Sequence, residues 1–83
     1  MIEELKTFTL ELVKSLTSEP DLVKVQDFQD EEENPILEIM VSDVDMGKVI
    51  GKSGKTAKAL RTLIQATAYN KGIKRVKINI DSF

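Results

Sequence analysis

The chain has no cysteine, no histidine and no tryptophan. Without cysteine there is no disulfide and no thiolate metal site. Without histidine, every Ser-His or Cys-His catalytic arrangement is excluded, as is every imidazole metal site. No apolar run exceeds three residues, whereas a membrane-spanning helix needs about 20. The segment Met1 to Lys14 interleaves Glu3, Glu4 and Glu11 with apolar positions, unlike the uninterrupted apolar stretch of a signal peptide. A soluble, cytoplasmic protein is expected. Its 83 residues suffice for one domain, residues 1–83, and leave no room for a second core.

What is present is unevenly placed. Residues 1–46 carry three lysines against thirteen carboxylates, a balance of −10. Residues 47–83 carry nine basic residues against Asp81 alone, a balance of +8. The net charge of −2 thus hides a dipolar chain with a basic working half. Mutual attraction and screening of the two halves is the plainer reading of the same pattern.

Periodicity places the elements. Ile2, Leu5, Phe8, Leu12, Val13 and Leu16 fall on one helical stripe, which predicts a helix over 2–17, with Leu10 off the stripe and Pro20 forbidding continuation. Residues 22–28 and 36–41 read as two strands of an antiparallel hairpin, joined by the acidic connection Asp30-Glu31-Glu32-Glu33 and Asn34-Pro35. Ser42 or Asp43 caps a short helix through Ile50. A longer helix over 55–70 buries Leu60, Leu63, Ile64, Thr67 and Ala68, and Gly72 stops it. Residues 73–80 alternate, with Val76, Ile78 and Ile80 inward. The last strand follows a helical crossover and is predicted to run parallel to the second. The fold class is α+β in the order α-β-β-α-α-β, a three-stranded mixed sheet covered on one face by three helices.

Chemistry concentrates in Gly47-Lys48-Val49-Ile50-Gly51-Lys52-Ser53-Gly54-Lys55-Thr56, between two helical patterns. Glycines at 51 and 54 permit a sharp bend and close approach of another backbone. The amides at the start of the following helix point outward with the positive end of its dipole. Lys48, Lys52 and Lys55 surround them, and Lys55, Lys58 and Arg61 continue at spacing three. These features suit a polyanionic backbone, although the same lysines would also serve as an ordinary solvated face. The nucleoside-triphosphate loop fits neither register: Gly51-Lys52-Ser53 follows Gly47 by one residue too few, and Gly54-Lys55-Thr56 would need glycine where Val49 stands. The dinucleotide fingerprint fails because Gly47 and Gly51 are four apart. A calcium loop starting near Asp43 and Asp45 would end on Gly54 instead of glutamate.

Val49-Ile50-Gly51-Lys52-Ser53-Gly54 between two helices resembles the signature of the KH family, an apolar Val-Ile-Gly leading into a GXXG loop. The element order resembles its type II, prokaryotic, arrangement. The resemblance spans the chain and is most specific over 43–64. It implies that the loop clamps about four nucleotides of single-stranded RNA, with Gly51 and Gly54 allowing close approach and Lys52 and Ser53 beside phosphates. It further implies a base-binding groove to which Val49 and Ile50 contribute, one of them facing the core instead, with strand 36–41 as the opposite wall. The acidic connection 30–33 would then lie across the groove from the loop and repel phosphate. None of the four aromatics, Phe8, Phe28, Tyr69 and Phe83, sits in the groove segments, so stacking on rings contributes little.

The resemblance also implies self-association, or pairing with a larger KH protein of the KhpB (Jag, EloR) type, and bacterial roles in post-transcriptional control or RNA chaperoning linked to cell-wall growth, cell shape and division. Apolar residues that the helical stripe leaves out, such as Leu10, Ile36 and Met40, could supply such a contact. No cofactor, metal or membrane partner is expected. Carboxylate pairs exist (Asp43 with Asp45, Glu31 with Glu33), but nothing positions a nucleophile beside a base, so a non-enzymatic protein is expected.

Overall fold

Apolar side chains at helical spacing put Ile2–Lys14 into helix α1, in a computed structural model that describes residues 1–83. Leu5, Thr9 and Val13 form its fully buried line, and Ile2, Phe8, Leu10 and Leu12 pack beside it. The helix ends before the predicted Thr17. Ser15 Oγ donates to the Leu12 carbonyl and Thr17 Oγ1 to that of Lys14. The Leu16 and Thr17 amides close short turns onto Val13 and Lys14. Hydroxyl side chains that compete for the last carbonyls tighten and end a helix. Leu16 therefore stays 37% exposed and does not complete the buried stripe. Thr9, a polar residue four positions from both Leu5 and Val13, is buried with its hydroxyl unpaired.

Pro20–Leu22 forms a 3-10 turn, which delays strand β1 to Lys24–Gln29. Strand β2 is Pro35–Val41. The turn between them is organised by Asp30, whose Oδ1 accepts the amides of Glu32 (2.9 Å) and Asn34 (2.8 Å). Those bonds, the Asn34 amide first, hold the Asp30 carboxyl below its usual range. β1 and β2 pair antiparallel, Val25 opposite Ile39 and Phe28 opposite Ile36. Lys6 of α1 reaches Asp27 of β1 at 2.9 Å.

Helix α2 covers Asp43–Ile50, a 3-10 turn covers Lys52–Gly54, and helix α3 covers Lys55–Asn70. Gly72, at φ +89°, ends α3: its amide bonds to the Tyr69 carbonyl and that of Ile73 to Ala68, the Schellman pattern. Strand β3 is Lys77–Ser82 and not 73–80. It pairs parallel with β2, Lys77 opposite Ile36 and Ser82 opposite Val41. Val76 would stand in register with Pro35, the first residue of β2, which has no N–H to give to a ladder, and the pairing starts at Lys77. The sheet order is β1-β2-β3, the mixed three-stranded sheet of a KH-like α+β fold.

Alternation within β2 sets the layers. Leu37, Ile39 and Val41 are fully buried, whereas Ile36, Glu38 and Met40 are half-buried on the other face. The core joins Leu37, Ile39, Val41 and Ile78 of the sheet to Leu5 and Val13 of α1, Val49 of α2, and Leu60, Ile64 and Ala68 of α3. Leu63, predicted inward, stands 46% exposed, and Ala57 takes a place in the buried line of α3. No helix is long and apolar enough to cross a membrane.

Candidate nucleic-acid interface

The bend between α2 and α3 is built from three residues with positive φ: Gly51 (+77°), Ser53 (+57°) and Gly54 (+74°). Gly51 has ψ 172°, a region populated almost only by glycine. A Cβ added there would meet Thr56 Oγ1 at 2.2 Å and the Thr56 amide nitrogen at 2.9 Å. The first turn of α3 thus packs directly onto the Gly51 backbone. Gly54 differs, because a Cβ there would meet nothing within 4 Å. Its requirement is the left-handed backbone alone, and the space above it is open. Amide bonds from Gly51 to the Gly47 carbonyl (2.8 Å) and from Gly54 to that of Gly51 (3.1 Å) fix the bend.

The N-terminus of α3 begins at Gly54 and no side chain caps it. The Gly54 amide donates to Gly51 and the Lys55 amide to the Lys52 carbonyl, and the first-turn amides that follow have no side-chain cap. Lys52, Ser53 and Lys55 are exposed around it. Lys48 lies one turn back on α2, 57% exposed, with Nζ 3.9 Å from Asp45 Oδ1. The segment therefore presents donors and positive charge with no carboxylate closing over Lys52 or Lys55.

The remaining expected site residues separate. Val49 is fully buried in the core and Ile50 is half-buried, so Val49 is the inward member of the pair and Ile50 alone borders the surface. Lys55 and Lys58 line a shallow groove on the outer side of α3 with Ala59, Thr62, Leu63 and Ala66. Arg61 does not join them. A spacing of three falls about 60° short of a full helical turn at each step, so Arg61 swings toward the sheet, where Nε lies 3.4 Å from the Ile78 carbonyl. Gln65 Nε2 lies at the same distance from the Val76 carbonyl.

Two expectations about the groove are corrected. β2 is the central strand, paired on both sides, so its backbone is committed to the sheet and cannot form a wall that reads bases. The strand with a free edge beside α3 is β3. The acidic turn 30–34 is also not across from the bend. It adjoins Pro35, and Ile36 pairs with Lys77 at the start of β3, while α3 runs antiparallel to β3, with Arg61 at Ile78 and Gln65 at Val76. The bend, at the start of α3, therefore sits toward the opposite end of the sheet.

The residue that sequence reasoning missed is Asp45. Its carboxylate is fully buried and accepts the Ser18 amide (2.8 Å), the Ser18 hydroxyl (2.7 Å), the Glu19 amide (2.9 Å) and the Ser42 hydroxyl (3.2 Å). The Ser18 amide above all, against the opposing effect of desolvation, holds its pKa at about 2. Asp45 ties the α1–β1 connection to the first turn of α2 and so anchors the helix that leads into the bend. The available signal was its spacing of four from Val49, which puts a carboxylate on the inward face of a helix.

The family model described as KhpA/KhpB, KH domain, matches residues 6–80. Among similar proteins, each named RNA-binding protein KhpA, that of Clostridium acetobutylicum is 48% identical over 69 residues, covering 83% of this chain and 89% of its own. That of Halalkalibacterium halodurans is 41% identical over 76 residues, covering 92% and 97%. That of Borreliella burgdorferi is 44% identical over 69 residues, covering 83% and 82%. No solved structure matches the chain significantly. The α-β-β-α-α-β order, the glycine-framed bend between α2 and α3, and matches over nearly the whole length agree: the chain belongs to the KhpA/KhpB family of KH domains.

Proposed function

We propose that the protein binds single-stranded RNA without cleaving it, with the bend Gly51-Lys52-Ser53-Gly54 holding the phosphate backbone. The observation that carries this reading is the open, uncapped start of α3, where Gly54 leaves space and Lys52 and Lys55 supply charge. Lys48 adds charge from α2, and Ser53 offers a hydroxyl. Bases then lie along the seam of α3 and β3, past Ile50 and Arg61, and Lys58 contributes only long-range attraction. The relatives named above carry RNA binding in their names, which supports the same ligand here. We further infer a bacterial, cytoplasmic role in post-transcriptional control or RNA chaperoning, linked to cell-wall growth and division, a reading that rests on the family resemblance of the sequence.

The test is the double substitution Lys52→Asp with Ser53→Asp. Fluorescence anisotropy with labelled oligoribonucleotides should show binding lost, while far-UV circular dichroism remains that of the wild type. A folded double variant that keeps its affinity refutes the reading. Incubation with labelled RNA should yield no cleavage products.

A second reading, self-association or pairing with a KhpB-type protein, is favoured by one feature. The outer face of α3 exposes Leu63 (46%) and Tyr69 (64%) beside Ala59 and Ala66. The candidates Leu10, Ile36 and Met40 are all half-buried, and Leu10 packs against the core, so α3 is the better surface. Sedimentation showing only monomer at high concentration would remove the homodimer.

A further inference from the structure

The end of the sheet away from the bend carries a second concentration of basic charge. β3 enters the sheet at Lys77, opposite Ile36, so residues 74–76 run alongside the turn that precedes Pro35. There Lys74, Arg75 and Lys77 border an open cavity of about 500 Å³, with Gln65 of α3 and with Asp30 and Asn34 of the turn. All three basic residues are exposed. The ion pairs of the structure involve Lys6, Lys48 and Lys71, none of these three. Asp30 is engaged with the amides of its own turn. Glu31, Glu32 and Glu33 stand exposed at the tip, also without a partner. Of the turn, Asp30 and Asn34 border the cavity, Lys77 adds to the Asn34 amide in holding the Asp30 carboxyl below its usual range, and the three glutamates of the adjacent tip add negative charge beside the basic corner.

The position of this corner gives it a use. Gln65, on its wall, lies ten residues beyond Lys55 on α3, about 15 Å at the helical rise of 1.5 Å per residue. Arg61 lies between them on the same seam. We propose that Lys74, Arg75 and Lys77 form a second contact for the phosphate thread of an RNA held at the bend, and that the carboxylates of Glu31, Glu32 and Glu33 restrain its strength. The proposal rests on the RNA-binding reading above and extends its footprint beyond the four nucleotides of one KH groove. The restraint is local. At 0.1 M salt the screening length is about 10 Å, so the tip acts on the corner beside it and is largely screened from the bend. An RNA too short to reach the corner does not sense it.

Length dependence therefore tests the idea. Oligouridylates of four and ten nucleotides are titrated at 0.1 M salt against wild type, against Glu31→Gln/Glu32→Gln/Glu33→Gln, and against Lys74→Glu/Arg75→Glu. The triple substitution should raise decamer affinity about threefold to tenfold, and the corner pair should lower it by a similar factor, as expected for gain or loss of a few phosphate contacts. Tetramer affinity should stay within about twofold in both, because screening isolates the bend. All five positions are exposed, and circular dichroism verifies the fold. If either set leaves the decamer as in wild type, or shifts the tetramer by the same factor, the second contact is overturned. The Lys52→Asp/Ser53→Asp variant separates the two claims. Loss of both oligomers there, with unresponsive corner variants, leaves the bend reading standing alone; retention of both removes the bend reading as well.

Discussion

At the scale of single residues, the two glycines of the bend look alike in the sequence and differ in the structure. Gly51 combines a backbone region reserved for glycine with the Thr56 amide nitrogen 2.9 Å from where a Cβ would stand. Gly54 has only the positive φ. Gly51→Ala should therefore cost roughly 2–4 kcal/mol, from left-handed strain plus overpacking. Gly54→Ala should cost about 1–2 kcal/mol, from strain alone. Urea unfolding midpoints check the order, and equal costs would mean that α3 does not rest on the Gly51 backbone. Asp45 supplies a pH test. Its pKa is about 2 in the folded state against an ordinary 3.8. A depressed carboxyl contributes stability that is complete above its ordinary pKa and is lost as pH falls through the folded value. Asp45→Asn should lower Tm at pH 7, and the gap to wild type should narrow between about pH 4 and pH 2. A gap that is constant over that window would show that charge at Asp45 is immaterial.

At the scale of elements, α3 shows what periodicity settles and what it leaves open. Its bounds, 55–70, agree with the sequence reading, because a glycine stands at each end and a clear apolar stripe runs between. Which apolar residues face inward was only partly legible. Leu60, Ile64 and Ala68 are buried as expected, but Leu63, which fits the same stripe by spacing, lies at its edge and outside the contact with the sheet. Leu60→Ala should cost about 2–5 kcal/mol, while Leu63→Glu should stay within about 0.5 kcal/mol of wild type. Chemical denaturation of both variants decides this, and a destabilised Leu63→Glu would place that side chain in the core. Strand ends were less legible, since β3 starts opposite Ile36, just past the proline that opens β2, and not where alternation starts. The bend was legible from glycine spacing alone. The arrangement around it was not: that β2 is central, that the acidic turn lies at the other end, and that Asp45 is buried all depend on contacts between segments far apart in the chain. Asp43 and Asp45 carry the same functional group two residues apart; spacing of four from Val49 hints at which one turns inward, but the partners that satisfy it come from residues 18–19.

At the scale of the whole molecule, the charge asymmetry of the sequence becomes a separation in space. The net charge is −2, which by itself repels RNA, and the long dimension of the protein is 33 Å. The outcome depends on how far each charge is felt. At 0.1 M salt the screening length of about 10 Å confines a phosphate at the bend to the field of Lys48, Lys52 and Lys55. About three neutralised phosphates give a slope near −2 for the logarithm of affinity against that of salt, so a rise from 50 to 200 mM should weaken binding about twentyfold. At 0.01 M the screening length reaches about 30 Å, comparable with the length of the molecule, and the carboxylates of the distant turn and of α1 then oppose the lysines. The salt plot should accordingly be steep above about 0.1 M and flatten toward 0.01 M. Anisotropy titrations of a tetranucleotide across that range check it. A straight line down to the lowest salt would mean that the acidic half has no influence at the bend, and a slope near zero throughout would mean that phosphate is not what the bend holds.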